Sequence, residues 1–172
     1  MTADDHATIG PDEAALLELM DALRAQAEHP EGRLVALRAR LRSQALECVA
    51  AHAMAFEALL ARADTWPLHG VFLLTGGVRE AEAFRSFRAW LVSLGGTHFR
   101  DALADPDALA DALVREEPAA PELLRAFRDA YAHRAGQALP PPTLELFAAP
   151  RGEPIPDSEL AVRFPRVAAA QR

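Results

Sequence analysis

The chain has 172 residues, of which 51% are hydrophobic and 25% are charged, and its formal net charge is -7. This length is sufficient for one globular domain with its own core, and the negative charge argues against nucleic-acid binding, which requires clustered positive charge. No apolar run reaches the roughly 18 residues of a membrane span, and the acidic N-terminus lacks the basic and apolar parts of a secretory signal. We therefore expect a cytoplasmic protein that binds neither nucleic acid nor membranes.

Hydrophobic residues recur at helical spacing along most of the chain and predict an all-α fold. We expect a single compact multi-helix domain over residues 11–136, preceded by a disordered N-terminus over residues 1–10. Six prolines between residues 137 and 156 predict an extended segment. This Pro-rich segment, 137–172, is expected to pack on the domain through Leu144, Leu146 and Phe147 and to end in a short helical turn closed before Pro165.

Three helices are predicted in the first third of the chain. The first runs to about residue 28 and is broken by the His-Pro-Glu-Gly sequence at 29–32. The second, 33–42, interleaves arginines with leucines at helical spacing, which is typical of a solvated helix face. Ser43 is predicted to cap the third helix, 44–63.

Glu57 lies in the middle of the apolar face of the third predicted helix. A buried carboxylate needs a partner, because an unpaired buried charge is costly. Arg88 is the candidate partner, since it borders the apolar face of a later helix. We favour a structural ion pair between the two helices over a catalytic role.

A helical hairpin is predicted around residues 66–94. Asp64 and Thr65 can cap a helix that starts near Trp66, and this capping favours a helix over a buried strand for the apolar run that follows. Gly76 and Gly77 are expected to end that helix, because glycine accepts a left-handed backbone.

The second helix of the hairpin, 79–94, has a core-facing aromatic face. Its apolar side comprises Ala83, Phe84, Phe87, Trp90, Leu91 and Leu94. Its opposite side, predicted to stay wet, comprises Glu82, Arg85, Ser86 and Ser93. Gly95 is expected to close it.

Three further helices are predicted after Gly95. Thr97 is expected to cap a helix to residue 104, and the sequence Asp105-Pro106-Asp107 is expected to form a turn that restarts a helix over 108–115. A last domain helix should start at Pro121 and be closed by Gly136.

The chain resembles a bacterial family known as domain of unknown function 4240 over roughly residues 43–167. The resemblance rests on Thr65, Trp66 and Leu68, the run into Gly76 and Gly77, the sequence FRAWL at 87–91, and ALADPD at 102–107, which contains Asp105 and Asp107. It implies a stand-alone or fused helical module and brings no established activity. Between the glycine pair and Phe84 the family tends to show a Cys-Ser-Asp-Asp-like run where this chain has VREAEA, and His69 stands where the family tends to have an aromatic residue.

The six histidines do not form a helical metal-binding pattern, and the single cysteine, Cys48, is predicted to be a semi-buried structural residue. We therefore expect no cofactor and no metal. Gly76 and Gly77 precede a predicted helix and can hold an anion, although ordinary punctuation between helices is the favoured interpretation.

Two functional hypotheses remain open. The favoured one is a protein-interaction or regulatory module, monomeric or weakly homodimeric, with a protein partner. The alternative is a small enzyme or ligand-binding protein whose pocket uses Glu57, Glu80 or His69, with Arg88 as an anion anchor.

Overall fold

The computed structural model describes residues 9–140 and 149–171. The predicted disorder of residues 1–8 and the predicted packing of Leu144, Leu146 and Phe147 lie outside the described residues. Within them the prediction of an all-α fold is confirmed. The helices are α1 (Pro11–Gln26), α2 (Pro30–Ser43), α3 (Leu46–Arg62), α4 (Trp66–Leu74), α5 (Ala81–Ser93), α6 (Gly96–Ala104), a 3₁₀ helix (Pro106–Leu109), α7 (Ala110–Arg115), α8 (Leu123–Ala135), α9 (Asp157–Arg163) and α10 (Pro165–Ala170).

Helix α3 is central, because it packs against α1, α5 and α8. Its apolar face is closed to solvent, and α5 adds Phe87 and Trp90, which are 0% and 1% exposed. Burial of aromatic side chains of this size contributes about 2 to 3 kcal/mol each before entropy is subtracted. None of the described helices has the length and apolarity needed to cross a membrane.

Both ends of α2 differ from the prediction. Pro30 is the first residue of α2 rather than part of a break, since a proline there loses only an amide that would be unpaired anyway. Ser43 does not cap α3. It ends α2, where its Oγ donates a hydrogen bond to the Arg40 carbonyl at 2.9 Å.

The predicted hairpin is present as α4 and α5. The Thr65 Oγ1 accepts a hydrogen bond from the Leu68 amide at 3.4 Å, and Gly76 has the left-handed φ of 82° that ends α4. The Phe72 ring then lies 5.5 Å from Phe84 and 5.4 Å from Phe87, measured between ring centroids. The strand alternative for the apolar run is wrong, because the Thr65 cap starts a helix.

The start of α6 depends on a residue from another helix. Gly95 has a φ of 89°, and the Gly96 amide donates to both carboxylate oxygens of Asp21 at 3.2 Å. A Cβ on Gly95 would lie 1.9 Å from Asp21 Oδ1, so only glycine fits at this position. The predicted Thr97 cap is wrong, since Asp21 on α1 takes that role.

The C-terminal part of the chain returns to the helical body. The Arg151 amide donates to the Asp64 carbonyl at 2.9 Å, and the Trp66 amide donates to the Arg151 carbonyl at 3.0 Å. Helix α9 packs on α4, and α10 packs on α7 and the 3₁₀ helix. Two short helices therefore occupy residues 157–170, where the sequence predicted one turn up to Phe164.

Candidate functional site

Glu57 is buried, as its position on the apolar face of α3 predicted, but its partner is Arg85. The carboxylate is 3% exposed, and Arg85 Nη2 donates to its two oxygens at 3.0 and 2.8 Å. The Arg85 side chain is 18% exposed, so its predicted place on the wet side of α5 is wrong. Ser86, also predicted wet, is buried and accepts a hydrogen bond from the Ala120 amide. The proposed pair between Glu57 and Arg88 is replaced by this one.

Arg88 instead contacts acceptors in the last turn of α3 and just beyond it. Its Nη1 donates to the Leu60 carbonyl at 3.0 Å and lies 3.0 Å from Asp64 Oδ2. Its guanidinium also lies over the Phe84 ring, 4.9 Å from the centroid, in cation–π geometry. Burial lowers the pKa of Arg88, while the Asp64 carboxylate acts in the opposite direction. Arg88 therefore holds α5 against the end of α3.

His69 packs as an aromatic residue within the hairpin. Its ring centroid is 4.8 Å from that of Phe84 and 5.4 Å from that of Trp66, both in edge geometry. Burial lowers the pKa of His69, and the positive charges of Arg79 and Arg88 add to the shift, against smaller opposing effects of Asp64 and Asp157. The neutral ring is the favoured form, which suits a position that contacts three aromatic side chains.

The glycine pair and Trp90 are structural positions: they fit or form the packed core. Gly77 lies against the Phe72 ring, where a Cβ would approach to 2.4 Å. The hypothesis of an anion site at the glycine pair is not supported, because three residues separate Gly77 from the start of α5 at Ala81, and the exposed acidic residue Glu80 is its N-cap. Trp90 is a core residue that is 1% exposed.

Asp105 and Asp107 form a pair of caps. Asp105 Oδ1 accepts from the Asp107 amide at 3.1 Å and so starts the 3₁₀ helix. Asp107 is 7% exposed, and its carboxylate accepts from the Arg166 amide at 3.1 Å and the Val167 amide at 2.9 Å. These two amides belong to the first turn of α10, so the motif at 102–107 anchors the C-terminal helix.

Ten residues were predicted from the sequence as functional or motif positions, namely Glu57, Trp66, His69, Gly76, Gly77, Glu80, Arg88, Trp90, Asp105 and Asp107. These ten predicted site residues fall into separate structural groups. His69 and Arg88 both contact Phe84, and Trp66 contacts His69. Asp107 caps α10, and Asp105 caps the 3₁₀ helix. Across residues 9–140 and 149–171, no three His, Cys, Asp or Glu side chains are grouped as a metal ion would require. Cys48 is exposed rather than semi-buried.

A cavity of about 410 Å³ lies elsewhere, between α1, α2 and the segment that leads into α8. We call it the Arg33 cavity. Its wall comprises Met20, Leu23, Pro30, Glu31, Arg33, Leu34, Val35, Leu37, Arg38, Ser93, Ala119, Ala120, Glu122 and Leu123. A second, more open groove of about 670 Å³ runs between α1 and α2 to His52 on α3. None of the ten predicted site residues lines either one.

Arg33 belongs to a three-residue ion network beside its cavity. Its Nη2 lies 2.9 Å from Glu116 Oε2, and Arg24 Nη1 lies 2.8 Å from Glu116 Oε1. Burial acts to raise the pKa of Glu116, but the hydrogen bonds and charges of the two arginines outweigh it, so this pKa is lowered.

Arg33 was not among the predicted site residues, because the arginines of α2 are expected on a solvated face when only the sequence is considered. Arg33 is in fact 7% exposed. The available signal was its spacing, since Arg33, Leu37 and Leu41 recur every four residues and therefore share one side of the helix. Its carboxylate partner is 83 residues away in the chain, between the helix predicted over 108–115 and the one predicted from Pro121, so the pair itself was not predictable.

Comparison with known proteins places the chain in a family. No match was found among curated proteins or among solved structures. One family model, described as Protein of unknown function, matches residues 12–133, a region that begins earlier than the resemblance seen in the sequence and includes α1 and α2. The chain belongs to this family, Protein of unknown function (DUF4240).

Proposed function

We propose that this domain is a protein-binding module and that its partner inserts an apolar side chain into the Arg33 cavity. The observation that carries the proposal is the cavity itself. Its volume of about 410 Å³ lies within the range typical of binding pockets. Apolar residues from α1, α2, the start of α8 and the segment just before α8 form most of its wall.

The rim of the cavity supports a protein as the partner. Val35 lines the cavity and is 64% exposed, although its neighbours Leu34 and Leu37 turn inward. Exposed apolar side chains beside a concave apolar site are typical of recognition surfaces with a polar rim. The rim here is supplied by the exposed side chains of Glu31, Arg38 and Glu122.

The alternative of a pocket at Glu57, His69 and Arg88 is not favoured by the contacts of these residues. Glu57 is paired with Arg85, Arg88 with Asp64, and His69 packs against aromatic rings. None of the three lines the Arg33 cavity or the groove beside α1 and α2.

Site-specific photo-cross-linking tests the proposal in a lysate of the source organism. A benzophenone amino acid is placed at Val35, and the control places it at Val162, which is 82% exposed on α9. We expect a discrete cross-linked protein from position 35 and none from position 162. Ala119→Trp, which fills the cavity from an exposed wall position, should reduce that product about tenfold.

Ala104→Trp is the matched control, because Ala104 is also exposed but lies on α6, away from the cavity. It should leave the cross-link unchanged. Cross-links of equal yield from both positions, or a product insensitive to Ala119→Trp, would contradict the proposal.

A further inference from the structure

We infer that the partner at the Arg33 cavity is a second copy of this chain, and that the two copies meet through antiparallel α2 helices related by a two-fold axis beside Val35. This inference rests on the proposed function and names the partner of that site. It is drawn from one stripe of exposed side chains on α2, whose order along the helix makes the stripe complementary to itself.

Three exposed residues of the cavity rim share one side of α2. Glu31, Val35 and Arg38 all line the cavity, and their spacing places them within an arc of about 60° on the helix. We call them the α2 stripe. Val35 is 64% exposed. Among residues 9–140 and 149–171, no hydrogen bond or ion pair uses the side chain of Glu31 or Arg38. Both charges are therefore available to a partner.

The order of charges on the α2 stripe is the order that a two-fold contact requires. Glu31 precedes Val35 by four residues and Arg38 follows it by three. At about 1.5 Å per residue, the two charged residues lie about 6 and 4.5 Å from Val35 in opposite directions along the helix. When two such helices pack antiparallel at Val35, each Glu31 lies opposite the partner's Arg38, whereas a parallel pair would set like charges against each other. The stripe thus favours an antiparallel contact that uses the same surface of both copies.

The residues on either side of the stripe extend the same pattern. Arg42 lies one turn beyond Arg38 on the same side of α2, and the exposed Glu28 lies just before the helix. They stand seven residues after and seven residues before Val35, so the same axis turns each toward the other's counterpart in the second copy. The net charge of -7 on each chain opposes self-association in general. The opposite charges that face each other along α2 offset this repulsion locally.

The cavity supplies the apolar centre of the contact. Val35 is at once a projecting apolar side chain and part of the cavity wall, next to the inward-facing Leu34. In the two-fold contact each copy provides the side chain that enters the mouth of the other's cavity, so one contact closes both cavities. A single helix pair is smaller than a standard interface, and we expect a weak dimer with a dissociation constant of about 0.1 mM.

Sedimentation equilibrium of the full-length chain measures the dimer, and charge reversal tests its geometry. Glu31→Arg or Arg38→Glu alone sets like charges opposite each other, so each should weaken dimerisation at least about tenfold. An equimolar mixture of these two variants, one of them fluorescently labelled, should recover a heterodimer, because opposite charges then meet at both ends of the contact. The double variant Glu31→Arg/Arg38→Glu should dimerise as the wild type does.

Further variants test the apolar centre against matched controls. Val35→Glu places two carboxylates beside the axis and should abolish the dimer, whereas Val162→Glu, on the exposed side of α9, should leave it unchanged. Ala119→Trp fills the cavity and should weaken the dimer, whereas Ala104→Trp on α6 should not. Asp129→Arg, at an exposed position of α8 outside the cavity wall, controls for the change of net charge. Circular dichroism and thermal melting establish that each variant is folded.

Three results would overturn the inference. A chain that stays monomeric at about 1 mM does not have a second copy as its partner. Cross-linking of a different protein from position 35 would in that case still support the protein-binding module, whereas no cross-link at all would contradict both proposals. A dimer that persists in Val35→Glu and in both charge reversals uses another surface. Failure of the mixed charge variants to associate, while the wild type dimerises, would exclude the antiparallel arrangement.

Discussion

Glu57 on α3 and Arg85 on α5 form a two-point ion pair, in which Arg85 Nη2 donates to the two carboxylate oxygens at 3.0 and 2.8 Å. The carboxylate is 3% exposed, so it depends on this partner for compensation. This pair fixes α5 against the middle of α3, whereas Arg88 fixes it against the end of α3 through Asp64.

Removal of Arg85 alone should strongly destabilise the fold. We expect Arg85→Met to lower the free energy of unfolding by about 3 kcal/mol, because it leaves the buried Glu57 carboxylate without its ion-pair partner. The double variant Glu57→Met/Arg85→Met should recover much of that loss, since it removes both charges. Urea unfolding measures all three free energies.

Arg79→Met is the control for this prediction. Arg79 pairs with Asp157 at the surface, where their side chains are 58% and 69% exposed. An exposed pair contributes little, so stability should change much less than in Arg85→Met. A double variant no more stable than Arg85→Met would show that Glu57 is not the source of the penalty.

Asp107 should hold α10 in place through two backbone hydrogen bonds. We expect Asp107→Ala to lower stability by about 1 to 2 kcal/mol, the usual cost of a lost N-terminal cap. Hydrogen exchange should show the loss of protection first at the amides of Arg166 and Val167, which donate to Asp107. Asp111→Ala provides the comparison, because Asp111 is 83% exposed and 3.9 Å from Arg166 Nη2. Similar exchange in both variants would contradict a capping role.

Gly77 should tolerate no side chain because of Phe72. A Cβ at Gly77 would lie 2.4 Å from the Phe72 ring, which is itself packed among other aromatic rings. We expect Gly77→Ala to cost about 1 to 3 kcal/mol through overpacking. In a Phe72→Leu background the same substitution should cost less, and a double-mutant cycle of unfolding free energies gives that coupling.

Gly76→Ala separates backbone strain from steric overlap at this turn. Gly76 has a φ of 82° and open space at its Cβ position, so its substitution should cost about 1 kcal/mol in either background. If Phe72→Leu reduced the cost of Gly76→Ala as much as that of Gly77→Ala, the overlap with the ring would not be the cause.

The features that were predicted correctly depend on neighbouring residues in the sequence. The start of α4 follows from the Thr65 side chain and the Leu68 amide, and its end from the conformational freedom of Gly76. The burial of Glu57 follows from its place on a periodic apolar face. Such features are determined within one or two helical turns, so a single sequence contains the information.

The features that were missed depend on how helices meet. Arg85 and Arg88 are separated by one turn of α5, and only the rotation of α5 against α3 decides which of them reaches Glu57. The cap of α6 comes from Asp21, 75 residues earlier, and the partner of Arg33 comes 83 residues later. The Arg33 cavity is likewise formed by four separate parts of the chain, so its place could not be predicted from spacing.

The lowered pKa of His69 should make stability depend on pH below neutrality. The folded-state pKa lies below the ordinary value of 6.5, so between these two values the unfolded chain binds more protons than the folded chain. The contribution of the neutral His69 ring to the free energy of unfolding is therefore fully present above pH 6.5. It is lost as the pH falls through the folded-state pKa of His69. We expect His69→Phe, which keeps an aromatic ring at this position, to reduce that loss.

Urea unfolding of the wild type and His69→Phe at several values between about pH 7.5 and 5 tests this prediction. His52, whose pKa is also lowered by burial, contributes in the same direction. The double variant His52→Gln/His69→Phe should therefore show a flatter dependence than His69→Phe alone. A slope in His69→Phe equal to that of the wild type would mean that the ring protonates equally well in both states, and the packing of His69 against Trp66 and Phe84 would then not select its neutral form.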